Sequence, residues 1–150
     1  MFMLAGAWDF ALNPYRTPEA ALAAFYEDVP YSPACAESGP LRWAGRRIVP
    51  VIITEISNRG MPKREHAISF LGEKRYRDAL PVLEKIAIDT TELDHIRYVA
   101  LIAVSEIELK IAQKIAVDMP ENSMASIKIK DSIIYNEPEL KDFQDHSCYW

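Results

Sequence analysis

Cysteine, histidine and glycine are scarce in this chain of 150 residues, which carries two, three and five of them respectively. Cys35 and Cys148 stand far apart and belong to no CxxC pair, so neither a zinc site nor a dithiol redox motif has support. Free thiols are the expected state and a long-range disulfide is the alternative, since nothing marks the chain for secretion. The few glycines form no phosphate-cradling loop, and GxSxG and HExxH are both missing. No apolar run is long enough to span a bilayer: MFMLAGAWDFALN at the amino end meets Asp9 after eight residues and has no basic flank, a poor signal peptide. A cytoplasmic location is the default expectation.

What is present is ordinary globular material, 49% hydrophobic and 26% charged. A chain of this length buries roughly 68–70% of its unfolded surface, enough for one domain with a core of its own. Ala, Leu, Ile, Glu and Lys dominate, which favours helix. The net charge of −5 is unevenly spread. Residues 1–41 carry one basic and five acidic side chains, residues 42–117 thirteen basic and ten acidic, and residues 118–150 three basic and seven acidic. Acidic ends around a mildly basic middle argue against general nucleic-acid binding, which wants a strongly basic face, and leave a basic protein partner open.

The first helical pattern is TPEAALAAFYEDV, with Thr17 as cap, Pro18 in the first turn and Ala21, Leu22, Phe25 and Tyr26 on one face. PYSPACAESGP, residues 30–40, is a loop. A second helix is expected from Leu41 through RWAGRRIVPVIITEISN, kinked or started at Pro50, with VPVII as a short buried strand the alternative. RGMP is a turn, KREHAISFL a short helix with Gly72 placed to stop it, and RYRDALPVLEKIAI another helix. DTTELD turns the chain, and Asp94 caps a long helix expected from His95 to about Val117. In the tail, MASIKIKDSIIYN alternates apolar and polar residues like a strand or hairpin arm, and PELKDFQDHSCYW reads as a short helix.

The chain repeats itself. At an offset of 31, IVPVI (48–52) falls on ALPVL (79–83); at an offset of 33, REHAISFLG (64–72) falls on RYVALIAVS (97–105). The extra two residues sit in DTTELD. A helix–turn–helix unit with a period near 31–33 residues points to a solenoid. Arg64, Ala67, Leu71-Gly72, Ala79-Leu80-Pro81, Leu83, Asp89, Arg97 and Ala100 together resemble HEAT-type repeats, especially the short subfamily named after phycobilisome lyases. The likeness covers residues 42–110. It implies an all-α superhelix, with residues 1–41 and 118–150 as irregular caps on two repeats at 42–117. Ser105 stands where a second Gly corner is expected, which suggests that the array ends there.

No catalytic set is visible. His66 follows Glu65 and His95 follows Asp94, but neighbours in sequence diverge on a helix and make no chelate. Glu106 and Glu108 diverge likewise. No metal and no cofactor is expected. The Arg42, Trp43, Arg46, Arg47 cluster, with Arg59, Lys63 and Arg64, reads as a phosphate-binding patch or as arginines pairing with the acidic ends. The Arg64 and Arg97 pair reads as structural, bonding the neighbouring turn. Tyr26, Tyr31, Tyr98, Tyr135, Tyr149 and Trp150 lie beside carboxylates, as interface aromatics do.

Small acidic repeat proteins of this kind resemble bacterial immunity proteins of contact-dependent inhibition systems. That resemblance implies a non-catalytic module blocking a basic toxin domain of nuclease type. Its candidate contacts are Glu92, Asp94, Tyr98, Glu106, Glu108, Glu137, Glu139, Asp142 and Asp145. The alternative is a nucleic-acid-binding repeat using the Arg42–Arg47 cluster. A chromophore lyase inherits only the repeat's name.

Overall fold

The computed structural model describes residues 16–27 and 38–135, and among these every regular element is helical. In chain order they are α1 (Pro18–Tyr26), α2 (Gly39–Ala44), a 3-10 turn (Gly45–Ile48), α3 (Val49–Glu55), α4 (Arg64–Glu73), a second 3-10 turn (Arg77–Ala79), α5 (Leu80–Ile88), α6 (Asp94–Ile107), α7 (Leu109–Ala116) and α8 (Met124–Ile134). The fold is all-α. Helix α6 is central: α4 and α5 pack on it, then α7 and α8, while α1 packs on α2 and α2 on α4. The core runs through Ile48, Ile52, Ile68, Leu71, Leu83, Leu101 and Val104, all inaccessible to solvent.

The offsets seen in the sequence recur in the backbone. Both α3 and α5 follow a 3-10 turn and carry proline in the first turn, Pro50 and Pro81, where the missing N–H breaks no helical bond. Pro50 therefore starts a helix. The expected continuous helix from Leu41 is broken, because Gly45 adopts φ 64° and closes α2. The strand alternative for VPVII is also overturned.

The second recurrence is a bond. Arg64 Nε donates to the Ile56 carbonyl at 2.7 Å, and Arg97 Nε to the Ala87 carbonyl at 3.0 Å. Ile56 and Ala87 are separated by the first offset, Arg64 and Arg97 by the second. Each arginine thus satisfies a carbonyl at the end of the preceding helix, a group that would otherwise be orphaned. Both guanidinium side chains are buried.

Gly72 does not stop α4. It lies inside the helix, and a Cβ placed there would meet Ala103 Cα at 2.5 Å, so its role is the close approach of α4 to α6. The stop comes at Arg75, left-handed at φ 55°. Tyr76 N–H reaches the Leu71 carbonyl at 3.1 Å and Arg75 N–H the Gly72 carbonyl at 2.9 Å, the paired bonds of a Schellman end. Tyr76 then packs its ring 5.6 Å from Phe70. A non-glycine residue in this region costs roughly 1–2 kcal/mol. Arg75→Gly should therefore raise the urea midpoint, by up to ~1 kcal/mol in stability once glycine's extra unfolded entropy is deducted.

Two further expectations are corrected. The helix from His95 breaks at Glu108, whose backbone is extended at φ −148° and ψ 95°; the unbroken apolar pattern concealed this, since no Gly or Pro marks the break. MASIKIKDSII is a helix. Ser123 and Ser126 exchange side-chain bonds to each other's N–H at 3.1 and 2.9 Å in a capping box, and buried Ser126 and Ile133 lie on one helical face. The apparent alternation at Ile127 and Ile129 is incidental to that face.

Candidate functional site

The basic cluster is the first candidate surface, and most of its charge is turned to the protein's own use. Arg42 meets Glu73 at 2.6 Å, Arg46 reaches Asp78 at 3.7 Å, and one helix pair further on Arg77 reaches Glu108 at 3.5 Å. These pairs tie successive helix pairs together along the edge where the first helix of each pair begins. Lys63 donates to the Glu27 carbonyl at 2.7 Å and so ties α1 to the start of α4. Arg46, Arg47 and Trp43 nevertheless remain exposed to solvent.

At the opposite edge the turns between paired helices lie side by side. Arg59, in the turn before α4, donates to Asp89 at 2.8 Å and to the Thr91 carbonyl at 3.1 Å in the turn before α6. Asn122, in the turn before α8, donates to Asp94, and the Tyr98 hydroxyl donates to the Pro120 carbonyl. Arg59, Lys63, Glu65, Thr91, Leu93 and His95 line a groove of about 340 Å³ between the first two turns. His66 and His95 both sit 3.9 Å from Glu65.

The expected contact residues fall into different places. Glu92 is buried: Arg64 Nη1 donates to it at 2.7 Å, the Leu93 N–H at 3.0 Å, and Arg59 lies at 3.6 Å. Burial alone would raise its pKa, but the Arg64 hydrogen bond and those beside it outweigh burial and hold the carboxyl below its usual value. Tyr98 is in the core, and burial raises its phenol. Asp94 is exposed at the start of α6, beside Arg97 at 3.5 Å. Glu108 pairs with Arg77. Of the aromatic residues, Tyr26 donates to Glu55 at 3.2 Å, with burial first and then Glu55 pushing its pKa up to about 12. Tyr135 is exposed. Glu137, Glu139, Asp142, Asp145, Tyr31, Tyr149, Trp150, Cys35 and Cys148 lie outside the described residues.

Glu106 is displaced from the outward position expected of it. Its Oε2 lies 2.7 Å from where a Gly72 Cβ would stand, in the seam of α4 and α6. Burial, then the Glu73 charge, push its pKa up to about 7, opposed by Arg75. The folded value exceeds the unfolded 4.5, so the proton-bound form is the one folding favours. The resulting stability is complete below about pH 4.5 and is lost as pH rises through 7. Glu106→Gln should remove that loss, leaving the variant more stable than the parent at pH 8 by on the order of 2 kcal/mol, discounted for partial exposure. Urea melts of both proteins from pH 5 to pH 8 would show converging midpoints at the acid end.

The sequence reading missed the apolar side chains at this second edge. Ile88, Leu93, Val117 and Met124 are between 59% and 70% exposed. Each lies at a helix end, and nothing in the sequence separates them from the apolar residues that the helices bury. Among the described residues no His, Cys, Asp or Glu side chains gather in threes as a metal would need, and no helix is long and apolar enough to cross a membrane. No family model, no curated protein and no solved structure matches the chain.

Proposed function

We propose that this chain is a non-catalytic protein-binding module that occludes a basic partner, and that the partner is a bacterial toxin domain of nuclease type, met in the cytoplasm. The observation that carries the reading is the destination of positive charge. Arg42, Arg46, Arg59, Arg64, Arg77 and Arg97 all bond carboxylates or carbonyls of the chain itself. The net −5 is left to act on the surroundings. Such a field repels phosphate and speeds encounter with a basic surface, in a salt-dependent way. Recurrent helix pairs with matched arginine bonds support the HEAT-type reading, and repeat stacks of this sort offer extended binding surfaces.

The immunity role is tested by expressing the genes that flank this one singly, then together with it. One should encode a basic polypeptide that arrests growth, and co-expression of this chain should restore growth. A flanking set with no toxic product, or toxicity that this chain leaves intact, contradicts the role.

A second reading draws on Trp43, 65% exposed beside Arg46 and Arg47. An aromatic among exposed arginines is the composition of a single-strand platform. Anisotropy of a fluorescein-labelled single-stranded oligonucleotide separates the two readings. Binding at physiological salt that vanishes in Arg46→Glu/Arg47→Glu would support this one.

A further inference from the structure

Glu73 and Glu106 occupy equivalent places in the recurring sequence, since the offset of 33 that lays Arg64 on Arg97 also lays one glutamate on the other. Glu73 ends α4 and Glu106 is the last residue but one of α6. Each carboxylate therefore stands at the negative end of its helix, where the macrodipole disfavours an anion. Their counter-charges differ. Arg42, 31 residues before Glu73, meets it at 2.6 Å. Arg75 lies 31 residues before Glu106, yet these two form no ion pair among the described residues. Arg42 belongs to helix α2, whereas Arg75 is the exposed left-handed residue beyond the end of α4.

Glu106 is half-buried in the seam of α4 and α6, its Oε2 2.7 Å from where a Gly72 Cβ would stand. Among the described residues its carboxylate takes no hydrogen bond and no ion pair. Glu73 and Arg75 act on it from the end of α4 with opposite sign. Arg42 of α2 is committed to Glu73, Arg77 before α5 reaches Glu108, and no lysine of α5, α7 or α8 pairs with Glu106. A carboxyl group in such a seam is tolerable with its proton and costly without it. We propose that Glu106 is a two-position proton switch: with its proton it stays in the seam against Gly72, and ionised it turns out of the seam to pair with Arg75. The proton passes to solvent. The outward position repeats, one helix pair on, the bond that Arg42 already makes to Glu73. Burial and the Glu73 charge, which push the Glu106 pKa up to about 7, place the exchange near neutral pH. Below that value the seam position holds, and above it the paired one.

Nuclear magnetic resonance of the uniformly labelled full chain, followed from acid to alkaline pH, tests the switch. The Glu106 carboxyl carbon should titrate with a midpoint of about 7. Nuclear Overhauser contacts from Glu106 Hγ to Gly72 Hα should be present on the acid side and lost on the alkaline side. The Arg75 Cζ resonance should move with the same midpoint. Glu106→Gln should keep the Gly72 contacts throughout. Arg75→Gln should raise the midpoint, because the ionised form loses its partner, and Glu73→Gln should lower it, because the opposing charge is gone. A midpoint at the ordinary 4.5 would overturn the proposal. So would Gly72 contacts that survive the titration, which would mean that the carboxylate ionises where it stands. A midpoint that Arg75→Gln leaves in place would overturn it as well, since the carboxylate would then turn to water and not to Arg75.

Discussion

Glu92→Ala should cost about 3–5 kcal/mol of folding free energy, the range for removing one member of a buried ion pair. The loss comes mainly from what is left behind. Arg64 is 7% exposed and would keep one bond, to the Ile56 carbonyl, while its Nη1 lost the carboxylate at 2.7 Å. An unpaired buried guanidinium is among the costliest groups a core can hold. Arg59 would lose a counter-charge as well, though its bonds to Asp89 and Thr91 remain. In a chain of this size the melting temperature should fall by roughly 10–20 °C. Replacing both Arg64 and Glu92 with methionine should recover a good part of the loss, since neither charge is then buried alone. A single-variant cost under about 1 kcal/mol by urea titration would mean that the pair is solvated and does not hold the turns together. Because Glu92 is held below its usual pKa, its contribution is present above the unfolded value of 4.5 and lost as pH falls through the folded one.

Gly72→Ala should also destabilise strongly, against the local expectation. In an exposed helix interior the same change stabilises by up to about 1 kcal/mol. Here the new methyl would stand 2.5 Å from Ala103 Cα and 2.7 Å from its Cβ, and a backbone atom cannot swing aside. It would also strike Glu106 Oε2 at 2.7 Å, which a side-chain rotation can relieve. Helices α4 and α6 must separate, and overpacking of this kind costs about 1–3 kcal/mol, sometimes more. The net expectation is a loss of about 2 kcal/mol in a urea melt. Ala103→Gly should rescue part of it, by removing the Cβ contact but not the Cα one. A neutral or stabilised Gly72→Ala would show that the two helices do not approach this closely.

These residues show what a single sequence discloses. The recurrence of Pro50 with Pro81 and of Arg64 with Arg97 was legible because each is fixed by local chemistry: a proline tolerated only at a helix start, an arginine bonding a nearby carbonyl. Gly72 was legible as special but not for the right reason. A glycine near a helix end looks the same in sequence whether it supplies a left-handed turn or a close approach, and only the position of α6 decides. The break at Glu108 had no local signal, because neither Gly nor Pro stands at or beside it and the apolar pattern runs on across it. The tail helix was misread because Ile127 and Ile129 mimic a strand period over too short a window, while its capping serines went unweighed. At the candidate site, acidic composition pointed to a class of partner but not to a surface. Glu92 and Tyr98 look alike in sequence whether they face solvent or the core. The apolar edge was hidden because an exposed leucine or valine differs from a buried one only by its place on the folded helix.

The claim at the centre of this account is the proposal that the chain acts by binding a basic protein. Affinity capture of the tagged protein from its native lysate at low salt, followed by mass spectrometry of what elutes with rising salt, addresses it most directly. The account predicts one dominant basic protein, released by salt and inhibited in a nuclease assay by the purified chain. Nucleic acid as the retained species, lost when Arg46 and Arg47 become glutamate, would contradict it and place the working surface at the Arg42–Arg47 cluster.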